Sequence, residues 1–323
     1  MIPSPRSLRA AASNVASKLL DGHVADLRPT PAEAIGSSVH RYRSLRGVVP
    51  AGPPVLLVPS PAAPARCFDL RRGCSLAEHV VNAGRLSYLL DHETPGHAEP
   101  GPWVGDVLPE AVRAVSRDTG GQPVQLVGWC LGGIGSLLAA ADDPALPVAS
   151  VAAIAPPQRE AVFGKVARPM ARRASELVGI DKYLLRPGTM LANLDDREFL
   201  AQAEALDHFN DLMPANPGHA LRHFYARLPR EALSDALDRV RVPVLAIAGR
   251  GDGLAPVTAV EPLTRLLENA PEVRFEAVPG GHLGVLTGRT ARATTWAHLD
   301  RWLDEGTRTH GIRPSRREAA VSL

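Results

Sequence analysis

Residues 124–140 read VQLVGWCLGGIGSLLAA. A β-type run ends at Val127, and a helix-type run starts almost at once. This is the layout of a strand-to-helix elbow. Gly128 and Gly132 stand two residues either side of Cys130. The residue at the tip of such a turn takes strained backbone angles, so its neighbours must be small. Gly133 lets the following helix approach the sheet, and that helix buries Ile134, Leu137 and Leu138. The free N–H groups of the helix start favour negative charge on the Cys130 sulfur. The spacing therefore predicts a nucleophile at position 130. The blander alternative is a glycine turn around a buried structural cysteine.

The rest of the chain suits such a sheet. Strands are predicted at 39–45, 55–58, 86–90, 124–127, 149–154, 244–248 and 273–278. Several are apolar throughout, as strands covered on both faces are. Helical patterns separate them at 75–83, 104–117, 257–269 and 290–303. This alternation predicts an α/β fold, with a mostly parallel central sheet and helices on both faces. Between Pro156 and Leu237 strand character disappears and helices and breakers take over, which predicts an inserted helical cap. The expected organisation is an N-terminal helical extension (1–35), a core made of 36–155 and 238–305, the cap (156–237) and a disordered tail (306–323). Ser7 to Leu20 forms a weak amphipathic pattern, expected to dock on its own domain, with a lipid or granule surface as the alternative.

A nucleophile needs a base, and the base needs an orienting acid. Both follow downstream at strand ends. VPVLAIAGRGDGLAP places Asp252 just after a strand, and VRFEAVPGGHLG places His282 just after the next. His282 is expected to take the thiol proton and Asp252 to hold the imidazole. The oxyanion hole requires backbone N–H groups. Leu131 follows the nucleophile and supplies one. In PSPAAPA, after the strand 55–58, Pro59 and Pro61 have no N–H, so Ser60 is the first candidate for the other and Ala62 the second. Other groups carry less. Asp142 and Asp143 fall at the far end of the elbow helix. His219 and His223 lack the glutamate of a metalloprotease helix and read as a cap-helix face. His79 reads as a packed core histidine.

Composition narrows the function classes. A net charge of +2 over 323 residues gives no basic footprint for nucleic acid. Three cysteines, Cys67, Cys74 and Cys130, are too few for a disulfide framework and point to a reducing compartment, hence the cytoplasm. Cys67 and Cys74 read as ordinary thiols near a loop. No apolar run has signal-peptide or membrane-spanning length, and no metal-ligand pattern is evident.

The box Gly-Trp-Cys-Leu-Gly-Gly resembles that of the polyhydroxyalkanoate (PHA) synthases, members of the α/β-hydrolase superfamily in which cysteine replaces serine. PVLLVPSPAAPARCFDLRRGCSLAEHVVNAG resembles their first strand, proline loop, Asp-Leu-Arg segment and following helix. LSYLLDHETPG is similar to the shorter, two-component synthases, and GRGDGLAP and PGGHLG occupy the aspartate and histidine positions. The chain departs from the pattern at His92, where the family usually has tryptophan, at Gly253, and in a short cap.

The resemblance implies an α/β-hydrolase fold and an acyltransferase with a Cys-His-Asp triad. Its donor would be a 3-hydroxyacyl-CoA, its acceptor an alcohol or polyester end, and its partner a second synthase subunit or a second copy of the chain. No cofactor is implied beyond the CoA thioester substrate, and a granule surface is the implied place of work. A thiol nucleophile suits transfer, because thioester exchange is nearly balanced in free energy and leaves the acyl group activated. Two alternatives stand beside this reading: a thioesterase or lipase-like esterase acting on a lipid-like ester, and a non-catalytic granule or partner-binding protein. In the cap, Phe209, Met213, Phe224 and Leu228 are candidates to roof an acyl channel or simply to pack on the sheet. Arg168, Arg172 and Arg173 are candidates for CoA phosphates or a solvated face.

Overall fold

The computed structural model describes residues 5–44, 46–47, 49–91, 102–158, 187–214, 217–226 and 230–309. The sequence candidates Arg168, Arg172, Arg173, Leu228 and His92 lie outside them, as do residues 310–323 of the tail.

Ten strands are described: β1 (Ala32–Ala34), β2 (Val39–Tyr42), β3 (Val55–Val58), β4 (Asp69–Arg71), β5 (Cys74–Ser75), β6 (Ser87–Leu90), β7 (Val124–Trp129), β8 (Val148–Ile154), β9 (Val244–Gly249) and β10 (Val273–Val278). Eight form one sheet in the order β1-β2-β6-β3-β7-β8-β9-β10. β1 and β2 are antiparallel to their neighbours, and every pairing from β6 to β10 is parallel. β3, β7 and β9 are buried along their whole length, which explains their unbroken apolar reading. The chain runs outward from β3 to β6 and then returns to the other side of β3 with β7. That reversal puts the C-terminal ends of β3 and β7 side by side, where an open α/β sheet builds its site.

The helices are α1 (Pro5–Asp21), α2 (Leu76–Asn82), α3 (Leu108–Asp118), α4 (Leu131–Asp142), α5 (Pro187–Ala192), α6 (Arg197–Asp211), α7 (Pro217–Ala226), α8 (Arg230–Asp238), α9 (Val257–Val260), α10 (Gly284–Thr287) and α11 (Thr295–Thr309). α2 starts on Ser75, whose side chain accepts from the Glu78 N–H. Buried residues cover nearly the whole of α4, the helix after the elbow. Gly135 leaves room on it for the Trp103 ring, which a side chain at 135 would overlap.

Several expectations shift. The strand predicted over 39–45 stops at Tyr42. The segment 1–35 is not helical throughout, since β1 adds an edge strand to the sheet. The helix predicted over 257–269 is one α-turn followed by a 3-10 segment, Glu261–Leu266, with Pro262 at its start; proline lacks the N–H that would continue the α-helix. The pattern predicted from 104 begins as a π-turn, Trp103–Val107, before α3. The last helix starts at Thr295 rather than 290 and runs to Thr309, into the span expected to be disordered.

Helices α5 to α8 fill the described part of the region predicted as a cap. Phe209 and Phe224 are fully buried in the main core, with Met213 packed beside them. The buried Arg71 of the Asp-Leu-Arg segment reaches α6, bonding Gln202 at 3.3 Å and pairing with Glu198. Asp69, two residues earlier, accepts from the backbone and hydroxyl of Thr30, at 2.6 and 2.9 Å. The segment thus ties the N-terminal stretch and α6 to the sheet domain.

Candidate active site

Cys130 has φ 57° and ψ −126°, a left-handed conformation that costs a non-glycine residue roughly 1–3 kcal/mol. Packing on both sides of the turn holds it there. A Cβ on Gly128 would overlap the Gly132 carbonyl, and one on Gly132 would overlap the carbonyl oxygen of Val58. The elbow is therefore pressed against the end of β3. Gly133 faces Ala153 of β8, where a Cβ would come within 3.2 Å. The Cys130 N–H is bound to the Ile154 carbonyl at 2.9 Å. Cys130 is 3% exposed.

The loops after β9 and β10 bring the acid and the imidazole together. Arg250 N–H bonds Val278 O at 2.8 Å, and Gly251 N–H bonds Gly280 O at 2.9 Å. Gly249 permits the crossing, since a Cβ there would lie 2.6 Å from Gly280 O. Asp252 Oδ1 accepts from the backbone N–H groups of Leu254 (2.7 Å) and Ala255 (2.8 Å). Its Oδ2 lies 2.8 Å from His282 Nδ1. With Nδ1 facing a carboxylate, the proton of the neutral ring belongs on Nδ1 and Nε2 is the basic atom. The Cys130 thiol lies near enough to the ring to act on it through charge. Nε2, the ring nitrogen turned from Asp252, is buried and has no hydrogen-bond partner among the described residues, which leaves it open to take a proton.

Burial works against charge on His282. The facing Asp252 carboxylate and its hydrogen bond, together with the charge of the Cys130 sulfur, outweigh it and raise the imidazole to about 10. Burial also pushes Asp252 upward, but the His282 charge, its hydrogen bond and the two backbone N–H groups overcome this and hold the carboxyl below its ordinary value. Both shifts stabilise the imidazolium that forms when the ring takes the Cys130 proton, in a dry setting.

One contributor lies beyond what the sequence reading anticipated. Trp129 is buried, its Nε1–H donates to the His282 carbonyl at 2.9 Å, and its ring centroid is 5.0 Å from the imidazole. The residue before the nucleophile thereby fixes the loop that carries the base. The only sequence signal was a tryptophan adjoining the tip of the turn.

In the loop after β3, Ser60 is buried. The Ala62 N–H is occupied by Ser60 Oγ at 3.2 Å, which removes the second sequence candidate for the oxyanion hole. Leu131 is the first residue of α4, where an N–H has no acceptor within its own helix.

The lesser candidates fall elsewhere. Asp142 and Asp143 pair with Arg239 and Arg113 at the surface. His79 is half-buried rather than a packed core residue, its Nε2 2.9 Å from Asp300 and its ring on Trp296; the apolar helix face predicted its packing but not the carboxylate. His223 is half-buried on α7, and the side chain of His219 lies outside the described residues. Cys67 and Cys74 are buried and free. Burial, and secondarily Cys130, push the Cys67 thiol well up, while Cys74 Sγ faces Thr287 O at 3.1 Å.

A family model for the alpha/beta hydrolase fold matches residues 53–289, and the chain belongs to that family. The fold is similar to a thermophilic esterase from Thermogutta terrifontis, at 18% identity and a TM-score of 0.52, covering 86% of this chain and 98% of that one. It is also similar to the enol-lactonase from Burkholderia xenovorans LB400, at 15% identity and a TM-score of 0.54, covering 85% of this chain and all of the other. E-2-(acetamidomethylene)succinate hydrolase aligns at 20% identity and a TM-score of 0.54, covering 85% and 98% of the two chains. No match was found among curated proteins. Among the described residues no helix is long and apolar enough to cross a membrane.

Proposed function

We propose that the protein is a cysteine-dependent acyltransferase of PHA-synthase type. The observation that carries this is the strained Cys130 facing an imidazole whose other nitrogen is held by a buried carboxylate. The donor is a 3-hydroxyacyl-CoA. Cys130 Sγ attacks its thioester carbonyl, and the thiol proton passes to His282 Nε2. The N–H groups of Leu131 and Ser60 hold the developing oxyanion. When the tetrahedral centre collapses, the bond to the CoA sulfur breaks and His282 returns the proton to it, leaving acyl-Cys130. In the second half His282 takes the proton of an alcohol, whose oxygen attacks the new thioester and releases Cys130. Asp252 steadies the imidazolium in both halves. No cofactor enters beyond the CoA thioester.

The thiol supports transfer over hydrolysis, since a thioester enzyme keeps the acyl group as activated as it was on CoA. A polyester end as acceptor rests on the resemblance of the Gly-Trp-Cys-Leu-Gly-Gly box, proline loop and Asp-Leu-Arg segment to the two-component synthases. The same resemblance supports a second synthase subunit or a homodimer, and a cytoplasmic place of work at a granule surface.

The test supplies purified protein with 3-hydroxybutyryl-CoA and with longer acyl-CoAs, follows thiol release and identifies the product. Polymer or an acylated acceptor supports transfer. Free acid means that water is the acceptor, making the protein a thioesterase or esterase, an activity of the kind named for the similar solved structures. Absence of thiol release, even with a synthase partner subunit, favours a binding protein. An acyl adduct in the intact mass is expected to vanish in Cys130→Ala; an adduct that persists overturns the nucleophile assignment.

A further inference from the structure

Helix α1 docks with its polar side inward. Asn14 is its buried residue, donating Nδ2–H to the Leu194 carbonyl at 2.7 Å. Ser7 bonds Asp195 and Lys18 pairs with Glu204 along the same side. An amphipathic helix packed on a domain normally buries its apolar stripe instead. Here Leu8, Ala12, Val15 and Leu19 follow one another at spacings that align them on one face, and that face is open. Leu8 is 56% exposed, Val15 40% and Leu19 79%, with Leu20 at 84% and Leu191 of α5 at 69%.

The charges flank this stripe. Arg9 directly follows Leu8 and Lys18 directly precedes Leu19. Successive helical residues turn by about 100°, so the two cations stand on opposite shoulders of the stripe. Lys18 is held by Glu204, Arg9 is exposed, Arg6 stands about 160° round the helix from Leu8, and the only acid in the helix is Asp21 at its last position. Behind Val15 and Leu19 a cavity of about 430 Å³ runs between α1 and α6, floored by Met190, Leu200 and Ala203. The acids facing it are Glu204, which is engaged by Lys18 and by the N–H groups of Val24 and Ala25, and Asp207 on its wall.

We propose that α1 is an interfacial element that lies in the plane of an anionic phospholipid surface. Leu8, Val15 and Leu19 enter the acyl region, while Arg9 reaches the lipid phosphates from the open shoulder of the stripe and Arg6 adds attraction within a Debye length of the surface. A second copy fits the stripe poorly, because each helix would set its Arg6 and Arg9 against the same cations of the other. The proposal is independent of the chemistry at Cys130.

Cosedimentation of the full chain with vesicles tests it. Vesicles of phosphatidylglycerol and phosphatidylcholine are compared with phosphatidylcholine alone, using wild type, Leu8→Ser/Leu19→Ser and Arg6→Gln/Arg9→Gln. Binding to the anionic vesicles is expected, weakening at least about tenfold in either variant and with added salt. Both variants alter exposed side chains, so thermal melts matching wild type are expected alongside. The proposal is overturned if the anionic vesicles bring down no protein or if the leucine variant binds them equally well. It is also overturned if light scattering finds a wild-type dimer that the leucine variant converts to monomer, which would make the stripe a subunit contact.

Discussion

The elbow at the end of β7 and the helical layer around α1 and α6 are held by different kinds of force. Around Cys130 the constraints are steric and main-chain: glycines against carbonyl oxygens, and loops bound to each other through their backbones. Around α1 and α6 they are charged side chains at or near the surface, such as Lys18–Glu204 and Arg289–Asp196, over a small apolar cluster of Val24, Ala25, Phe199, Leu200 and Ala201. Backbone packing leaves the site no alternative arrangement. Exposed ion pairs are individually weak and screened by salt, so the docking of α1 rests on weaker forces than the elbow does, while α6 is also anchored in the main core through Phe209.

The largest effect expected from this contrast is chemical. Asp252→Asn leaves the loop in place but removes the charge behind the imidazole and frees the ring to take the wrong tautomer. Acyl-enzyme formation should slow by about 10⁴-fold with little loss of folded protein, measured as single-turnover thiol release. A loss under tenfold would remove Asp252 from the triad.

Next comes Gly132→Ala, whose methyl group collides with main chain and not with a movable side chain. It should cost about 3 kcal/mol or more in denaturant unfolding. Tolerance of that alanine would mean the elbow is looser than its packing implies.

Trp129→Phe keeps a ring beside His282 but deletes the donor to its carbonyl. A loss of about 1 kcal/mol in stability is expected, with acylation slowed about tenfold and its pH profile displaced. A stability loss alone would reduce Trp129 to a core residue.

Smallest is Arg289→Ala at the exposed Asp196 pair, expected to cost about 0.5 kcal/mol and to vanish in high salt. A salt-resistant loss above about 2 kcal/mol would erase the contrast between the two regions.

The site also has a pH signature. His282 is raised from 6.5 to about 10, so its contribution to stability is complete below about pH 6.5 and fades as pH rises through 10. Asp252 is lowered from 3.8, so its contribution is present above that value and fades in more acidic solution. The Tm gap between wild type and Asp252→Asn should therefore be widest between about pH 4 and 6.5 and close towards pH 10.

How much of this was legible in the sequence follows from the same physics. β3, β7 and β9 announce themselves because burial on both faces leaves only apolar residues, and the elbow does so because its glycines are sterically required. The positions of Asp252 and His282 follow from the strands before them. β1 is three exposed residues, Ala-Glu-Ala, with no apolar alternation to reveal it, and its pairing is decided by β2. The 257–269 pattern has the right apolar spacing, but Pro262 overrides it. Helix α1 is plain as a helix, whereas the face it turns inward depends on hydrogen bonds to Leu194 and Glu204, nearly two hundred residues away.

The bonds joining the β9 and β10 loops carry a consequence of their own. Because Gly251 is tied to Gly280, and Arg250 to Val278, carboxylate and imidazole ride on one stiff bracket. Any rearrangement that admits a bulky substrate must swing around that bracket, so proton-transfer geometry is insulated from the breathing of whatever covers it.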